Sequence, residues 1–126
     1  MNTVITVLQV FIGFLMTVGG LAKLVLPYSR YSNISAVAWS KEFKPAHLHL
    51  LGVLEIMAGV GLLLPLVLPS LTGIAPLSAV GVALYMSGAM ATHLRRSEYV
   101  NMVGNFVVFL APALLVAYAR LIGFAV

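Results

Sequence analysis

The sequence contains no cysteine and carries very little charge. Without cysteine the chain forms no disulfide, offers no thiolate nucleophile and attaches no haem through thioether bonds. Only 8% of its 126 residues are charged, whereas 62% are hydrophobic, and the mean hydropathy is +1.10. Soluble globular domains do not have this composition, so the sequence predicts an integral membrane protein.

Several functional motifs are also missing. The sequence has no glycine-rich phosphate loop, no paired catalytic carboxylates and no serine–histidine arrangement. The formal net charge of +4 comes mostly from basic residues between apolar runs, where membrane topology explains them. Nucleic-acid binding is therefore not predicted.

Four long apolar runs use most of the chain. At about 20 residues per span they predict an all-α, membrane-embedded four-helix bundle. It forms a single domain, residues 1–126, with spans at approximately 4–26, 48–68, 71–93 and 100–124. The first run lacks the basic leader of a cleaved signal peptide and is predicted to be a retained span. Pro112 is predicted to kink the fourth helix.

The basic residues predict the orientation. They fall mainly in the first and third connections, as Arg30, Lys41, Lys44, Arg95 and Arg96. By the positive-inside rule these loops face the cytoplasm and both termini are extracytoplasmic. The connection 27–46 mixes aromatic and polar residues, which fits either a short interfacial helix or a solvated linker with aromatic anchors.

Small and polar residues recur at steps of three and four along three of the helices. A residue stripe of this kind lies on one helix face and lets another helix approach closely. We therefore expect the three stripes to be packing surfaces inside the bundle. They comprise Gln9, Gly13, Thr17, Gly20 and Lys23; then Gly52, Glu55 and Gly59; and then Ser78, Gly81, Tyr85, Gly88 and Thr92.

Glu55 is the most informative single residue, because a carboxylate within a span is costly unless it has a partner. Its Cα lies about eight residues, or about 12 Å, inside the end of the second helix that adjoins the basic first connection. Lys23 lies near the same end of the first helix, so an ion pair between Lys23 and Glu55 is predicted. The pair has two readings: a purely structural pair, or part of a site.

His93 ends the third apolar run and can act as a proton donor or acceptor opposite Glu55. The alternative is a histidine that only bonds the last carbonyls of its helix. A metal site could be drawn from His49, Glu55 and His93, but their spacing matches no metal motif and none is predicted.

The remaining polar candidates are Tyr85, Thr92 and two asparagines. Asn101 and Asn105 share a face of the fourth helix and are expected to bond across to another helix, with Asn105 reaching the pocket. The sequence thus predicts catalytic acid–base roles for Glu55 and His93, in a polar pocket with Lys23, Tyr85, Thr92 and Asn105.

Three segments resemble the DoxX-like family of small four-helix membrane proteins. They are GGLAKL (19–24), LGVLEIMAGVGLLLP (51–65) and APLSAVGVALYMSGAMATHLRR (75–96). The family's lysine, glutamate and histidine fall on Lys23, Glu55 and His93. Members that resemble this chain are linked to thiosulfate:quinone oxidoreduction, to oxidoreductase complexes that handle oxidative stress and, more distantly, to the chaperoning of receptor assembly.

Two main functional hypotheses follow. The first is a membrane subunit of a redox system whose pocket binds a quinone or another lipophilic molecule, with a membrane oxidoreductase as partner. The second is a non-enzymatic interaction or assembly protein; acid–base isomerisation of a lipophilic substrate ranks lower. No cofactor is encoded in the chain, lipid is an expected partner, and a homo-oligomer is compatible with the glycine stripes. The expected location is the bacterial plasma membrane.

Overall fold

The computed structural model describes the backbone of residues 2–125 and the side chains of residues 3–122. It confirms the all-α architecture. Four helices are long and apolar enough to cross a membrane, at Thr3–Val25, Pro45–Val67, Ile74–Arg95 and Tyr99–Ile122. The elements in chain order are α1 (Asn2–Val25), α2 (Tyr28–Ser32), a 3₁₀ segment (Ser35–Glu42), α3 (Pro45–Val67), a 3₁₀ turn (Pro69–Leu71), α4 (Ile74–Arg95), α5 (Tyr99–Asn105), a π-helical segment (Phe106–Leu110) and α6 (Ala111–Ala125).

The predicted span boundaries are close to those observed, with two informative shifts. Helix α3 begins at Pro45, three residues before the predicted start, because the fixed φ of proline suits the first helical position. Helix α4 begins at Ile74, three residues after the predicted start, because Pro69–Leu71 forms a separate 3₁₀ turn. Short helical segments also occupy much of the connection 27–46, as one of its two interpretations expected.

The spans contact their neighbours in a ring. Helix α1 packs on α3, α3 on α4, α4 on α6, and α6 back on α1. The apolar core fills the half of this ring that lies toward the α3–α4 hairpin, with buried residues such as Ile12, Leu62, Val82 and Val116. The opposite half, toward the 27–44 connection, holds the buried charges.

Glycines bring α1 and α3 into close contact. A Cβ on Gly20 would lie 2.5 Å from the Gly52 carbonyl oxygen, and a Cβ on Gly59 would lie 2.7 Å from the Gly13 carbonyl oxygen. Neither backbone could accept a side chain without moving. The packing role expected for these two stripes is therefore confirmed.

The third stripe behaves differently: Ser78 and Tyr85 contact α3, but the expectation of close packing was wrong for its two glycines. A Cβ on Gly81 or Gly88 would meet no heavy atom within 4 Å. These two glycines of α4 face the open space of a cavity.

The fourth span accommodates Pro112 through its π-helical segment. Proline lacks an N–H and its ring clashes with the carbonyl four residues earlier, which here belongs to Val108. Residues Phe106–Leu110 adopt the wider π-helical turn just before this position. π-Helical turns inside α-helices are one recognised response to such local conflict.

Candidate functional site

The site is built around a buried ion pair. Lys23 of α1 pairs with the Glu55 carboxylate of α3, as the sequence predicted, and the two residues are only 6% and 4% exposed. The Tyr85 hydroxyl of α4 donates to the same carboxylate oxygen, Oε1. Gly19 makes room for this arrangement, since a Cβ there would lie 2.6 Å from Glu55 Oε2. Three spans are thus joined at one carboxylate.

Two aromatic rings from the first connection cover the lysine. Lys23 Nζ lies 5.6 Å from the centre of the Tyr31 ring and 5.5 Å from that of Trp39. Both distances fall within the range of cation–π attraction. Tyr31 and Trp39 belong to the connection 27–46, whose sequence pattern predicted no contact with Lys23.

His93 faces the carboxylate of Glu98, a contact that the sequence pattern did not predict. Its Nδ1 lies 2.9 Å from Glu98 Oε1, and its ring meets Trp39 edge-on at 6.4 Å between centres. The end of α4 explains the contact. Ser97 has a φ of 58°, and the Glu98 N–H donates to the His93 carbonyl at 2.8 Å. This is a Schellman-type helix end, which folds Glu98 back onto His93.

An ionic chain continues from this pair to the first connection. Arg96 Nε donates to Glu98 Oε1 at 3.2 Å, and its Nη1 pairs with Glu42 Oε2 at 2.6 Å. The first and third connections therefore lie at the same end of the bundle. This arrangement is compatible with both connections facing the cytoplasm.

The pKa of the Glu98 carboxyl lies below its ordinary value, first because of the hydrogen bond from His93 and then because of Arg96. Glu98 therefore stabilises the folded state above the ordinary glutamate pKa of about 4.3, and this contribution is lost as the pH falls through the lowered pKa. We expect a matching acid transition in the emission of Trp39, the single tryptophan.

A pH titration of Trp39 fluorescence in detergent checks this expectation. Glu98→Gln should remove the transition, whereas Glu42→Gln, which changes the other carboxylate bound to Arg96, should retain it. A transition that survives in Glu98→Gln would contradict the assignment.

All six residues predicted for the pocket line one cavity. Its volume is about 920 Å³, and its walls include Lys23, Glu55, Tyr85, Thr92, His93 and Asn105. The remaining walls are mainly apolar, among them Leu15, Leu51, Ala58, Gly81, Ala89 and Phe109. Cavities of this size with a few convergent polar groups are typical of small-molecule sites.

The asparagines do not make the interhelical bonds that their shared helix face predicted. Among the side chains of residues 3–122, neither Asn101 nor Asn105 has a hydrogen-bond partner. Asn101 is exposed, and Asn105 is half-buried at the cavity wall. By contrast, the Thr92 hydroxyl donates to the Gly88 carbonyl at 3.1 Å. The Asn105 amide is therefore available for a ligand.

A second cavity of about 300 Å³ adjoins the first. Four residues line both cavities: Trp39, His93, Asn105 and Phe109. Asn101 lines the second cavity but not the first. His93 thus forms part of the wall between them, which gives its ring access to two spaces.

Among the side chains of residues 3–122, no three from histidine, aspartate or glutamate are grouped so that they could hold a metal ion. His49 is exposed, while Glu55 and His93 are engaged by different partners. The combination of His49, Glu55 and His93 is thus not assembled as a metal centre.

The sequence profile described as the DoxX-like family matches residues 7–117. The chain belongs to the DoxX-like family. No curated protein and no solved structure matches it significantly. The family match covers all six pocket residues and also Glu98 and Trp39. This DoxX-like protein is therefore a small multi-pass membrane protein whose four spans line a mainly apolar cavity with a polar cluster at one end.

Proposed function

We propose that this DoxX-like protein binds a lipophilic small molecule of the quinone class in the cavity between its four spans, as a membrane subunit of a redox system. The observation that carries the proposal is one cavity of about 920 Å³ that combines apolar walls with a buried lysine–glutamate–tyrosine cluster. Charged groups inside a span are expensive, and those that face a cavity commonly serve a ligand or a proton path.

The polar groups suit a flat ring with carbonyl oxygens. Lys23 has ammonium hydrogens beyond the one that faces Glu55, and the Asn105 amide has two donors. A quinone needs hydrogen-bond donors for its carbonyls and apolar contact for its ring. The cavity offers the donors at its polar end, and Leu51, Ala58 and Phe109 supply apolar contact.

The second part of the proposal concerns protons. Conversion of a quinone to its hydroquinone takes two electrons and two protons. A partner membrane oxidoreductase supplies the electrons, and His93 and Glu55 exchange protons with the bound ring. Glu98 connects His93 to the loop end of the bundle, which the positive-inside rule assigns to the cytoplasm.

The test is mass spectrometry of small molecules that copurify with the protein in mild detergent. The informative variant is Tyr85→Phe, which removes one hydroxyl that bonds Glu55. Its control is Tyr118→Phe, the same change at an exposed tyrosine outside the cavity. We expect wild type and Tyr118→Phe to retain a quinone, and Tyr85→Phe to bind it about 10- to 150-fold more weakly, since the lost hydrogen bond to the charged Glu55 carboxylate costs about 1.5–3 kcal/mol.

Ordinary phospholipid alone in all three samples would overturn the proposal. So would a quinone retained equally by Tyr85→Phe and Tyr118→Phe, because its binding would then not involve the cavity.

A further inference from the structure

The cavity is open to one side of the bundle. Four of its lining side chains are also strongly exposed on the outer surface: Leu54 and Met57 of α3 at 44% and 64%, and Leu77 and Leu84 of α4 at 73% and 71%. An exposed apolar side chain on a membrane span contacts lipid chains. The wall of the cavity therefore continues into the lipid-facing surface between α3 and α4.

Glycines account for the width of this opening. Near the hairpin the two helices touch, because a Cβ on Gly61 of α3 would collide with the Ser78 hydroxyl of α4. One turn further along α4, Tyr85 still reaches Glu55 of α3, but the space on either side of it is open, since a Cβ on Gly81 or Gly88 would meet no heavy atom within 4 Å. Both glycines line the cavity. A larger side chain at either position would extend into the gap.

The opening lies at the level of the polar cluster. Tyr85, whose hydroxyl reaches Glu55, stands between Gly81 and Gly88 on α4, and Leu84 directly precedes it. A ring held at Lys23 and Glu55 would thus lie beside the gap. Any chain attached to that ring could pass between Leu54 and Leu84 without entering water.

We infer that the ligand is an amphiphile with a polar ring and a long apolar chain, and that its chain leaves the cavity between α3 and α4 across Gly81 and Gly88. This inference rests on the proposed function and adds to it the chemical class and orientation of the ligand. The ring lies toward the 27–44 connection, and the chain stays in the lipid.

The experiment measures binding of two probes to the protein in lipid nanodiscs. One probe is a benzoquinone with a ten-carbon alkyl chain, and the other is the same ring without the chain. Each dissociation constant is expressed as the concentration of the probe within the membrane, so that the different partitioning of the two probes into lipid does not affect the comparison. The variant is Gly88→Leu. Gly104→Leu is its control, because Gly104 also has no heavy atom within 4 Å of an added Cβ but does not line the main cavity.

We expect Gly88→Leu to weaken binding of the chain-bearing probe by at least about tenfold, because the leucine side chain would occupy the space that the alkyl chain fills and so overpack it. The chain-free probe should change by less than about threefold, and Gly104→Leu should affect neither probe. Equal weakening of both probes by Gly88→Leu, or no weakening of either, would overturn the inference. If wild type binds neither probe, the proposed function itself fails.

Discussion

Replacement of Lys23 by Met, or of Glu55 by Gln, is expected to destabilise the folded protein by about 3–5 kcal/mol, because either change leaves a buried polar partner without its counter-charge. Lys23 and Glu55 are almost fully buried and face each other across the tight α1–α3 contact. Tyr85 and the two aromatic rings cannot replace a charge. The loss should appear as a lower melting temperature in detergent for each single variant.

The Lys23→Met, Glu55→Gln double variant is expected to recover most of the lost stability, since it removes both charges together. Together with wild type, the three variants give four melting temperatures, which form a double-mutant cycle that isolates the coupling between the two residues. Additive effects would contradict the ion-pair account. A double variant that is stable but no longer retains a copurifying quinone would separate the structural role of the pair from its role in binding.

The second large effect concerns the opposite end of the bundle. Gln9 is buried in α1, and its Nε2 donates to the Leu62 carbonyl of α3 at 2.6 Å. Arg120 of α6 donates through Nε to Gln9 Oε1 at 2.8 Å and through Nη2 to Thr6 Oγ1 at 3.0 Å. Gln9 thus joins α1, α3 and α6, and it binds the guanidinium group of Arg120 in the fourth span.

Gln9→Leu is expected to cost about 2–3 kcal/mol, because Arg120 loses a charge-assisted hydrogen bond and α3 loses a polar contact. Thr6→Val, which removes only the second bond to Arg120, should cost about 1 kcal/mol. Chemical or thermal unfolding in detergent measures both values. An equal effect of the two variants would mean that the glutamine does not hold the three spans together.

The residues of the site differ in how well the sequence predicted them. The contact between Lys23 and Glu55 followed from a count of residues, because helical rise places both at the same depth and a buried charge needs a partner. Tyr85 and Thr92 followed from their helical spacing on the face that holds Gly81 and Gly88. These inferences use only distances along a helix, which the sequence determines directly.

Glu98 and Trp39 could not be found in this way. Glu98 stands in a short loop, and only the turn at Ser97 brings its carboxylate to His93. Trp39 stands in a polar connection whose 3₁₀ segment returns over the end of α1 and places the ring near Lys23. To predict either contact one would need to know the path of an irregular loop, and local sequence patterns specify such paths weakly.

The sequence by itself determined the class of protein, the four spans and the helix faces that carry polar and small residues, because composition and the 3.6-residue period fix these properties locally. It did not distinguish the glycines of α1 and α3 from those of α4. Gly20 and Gly59 lie against backbone, whereas Gly81 and Gly88 border a cavity. Only the tertiary structure decided this difference, since periodicity tells which face a residue occupies and packing sets how far away the next helix lies.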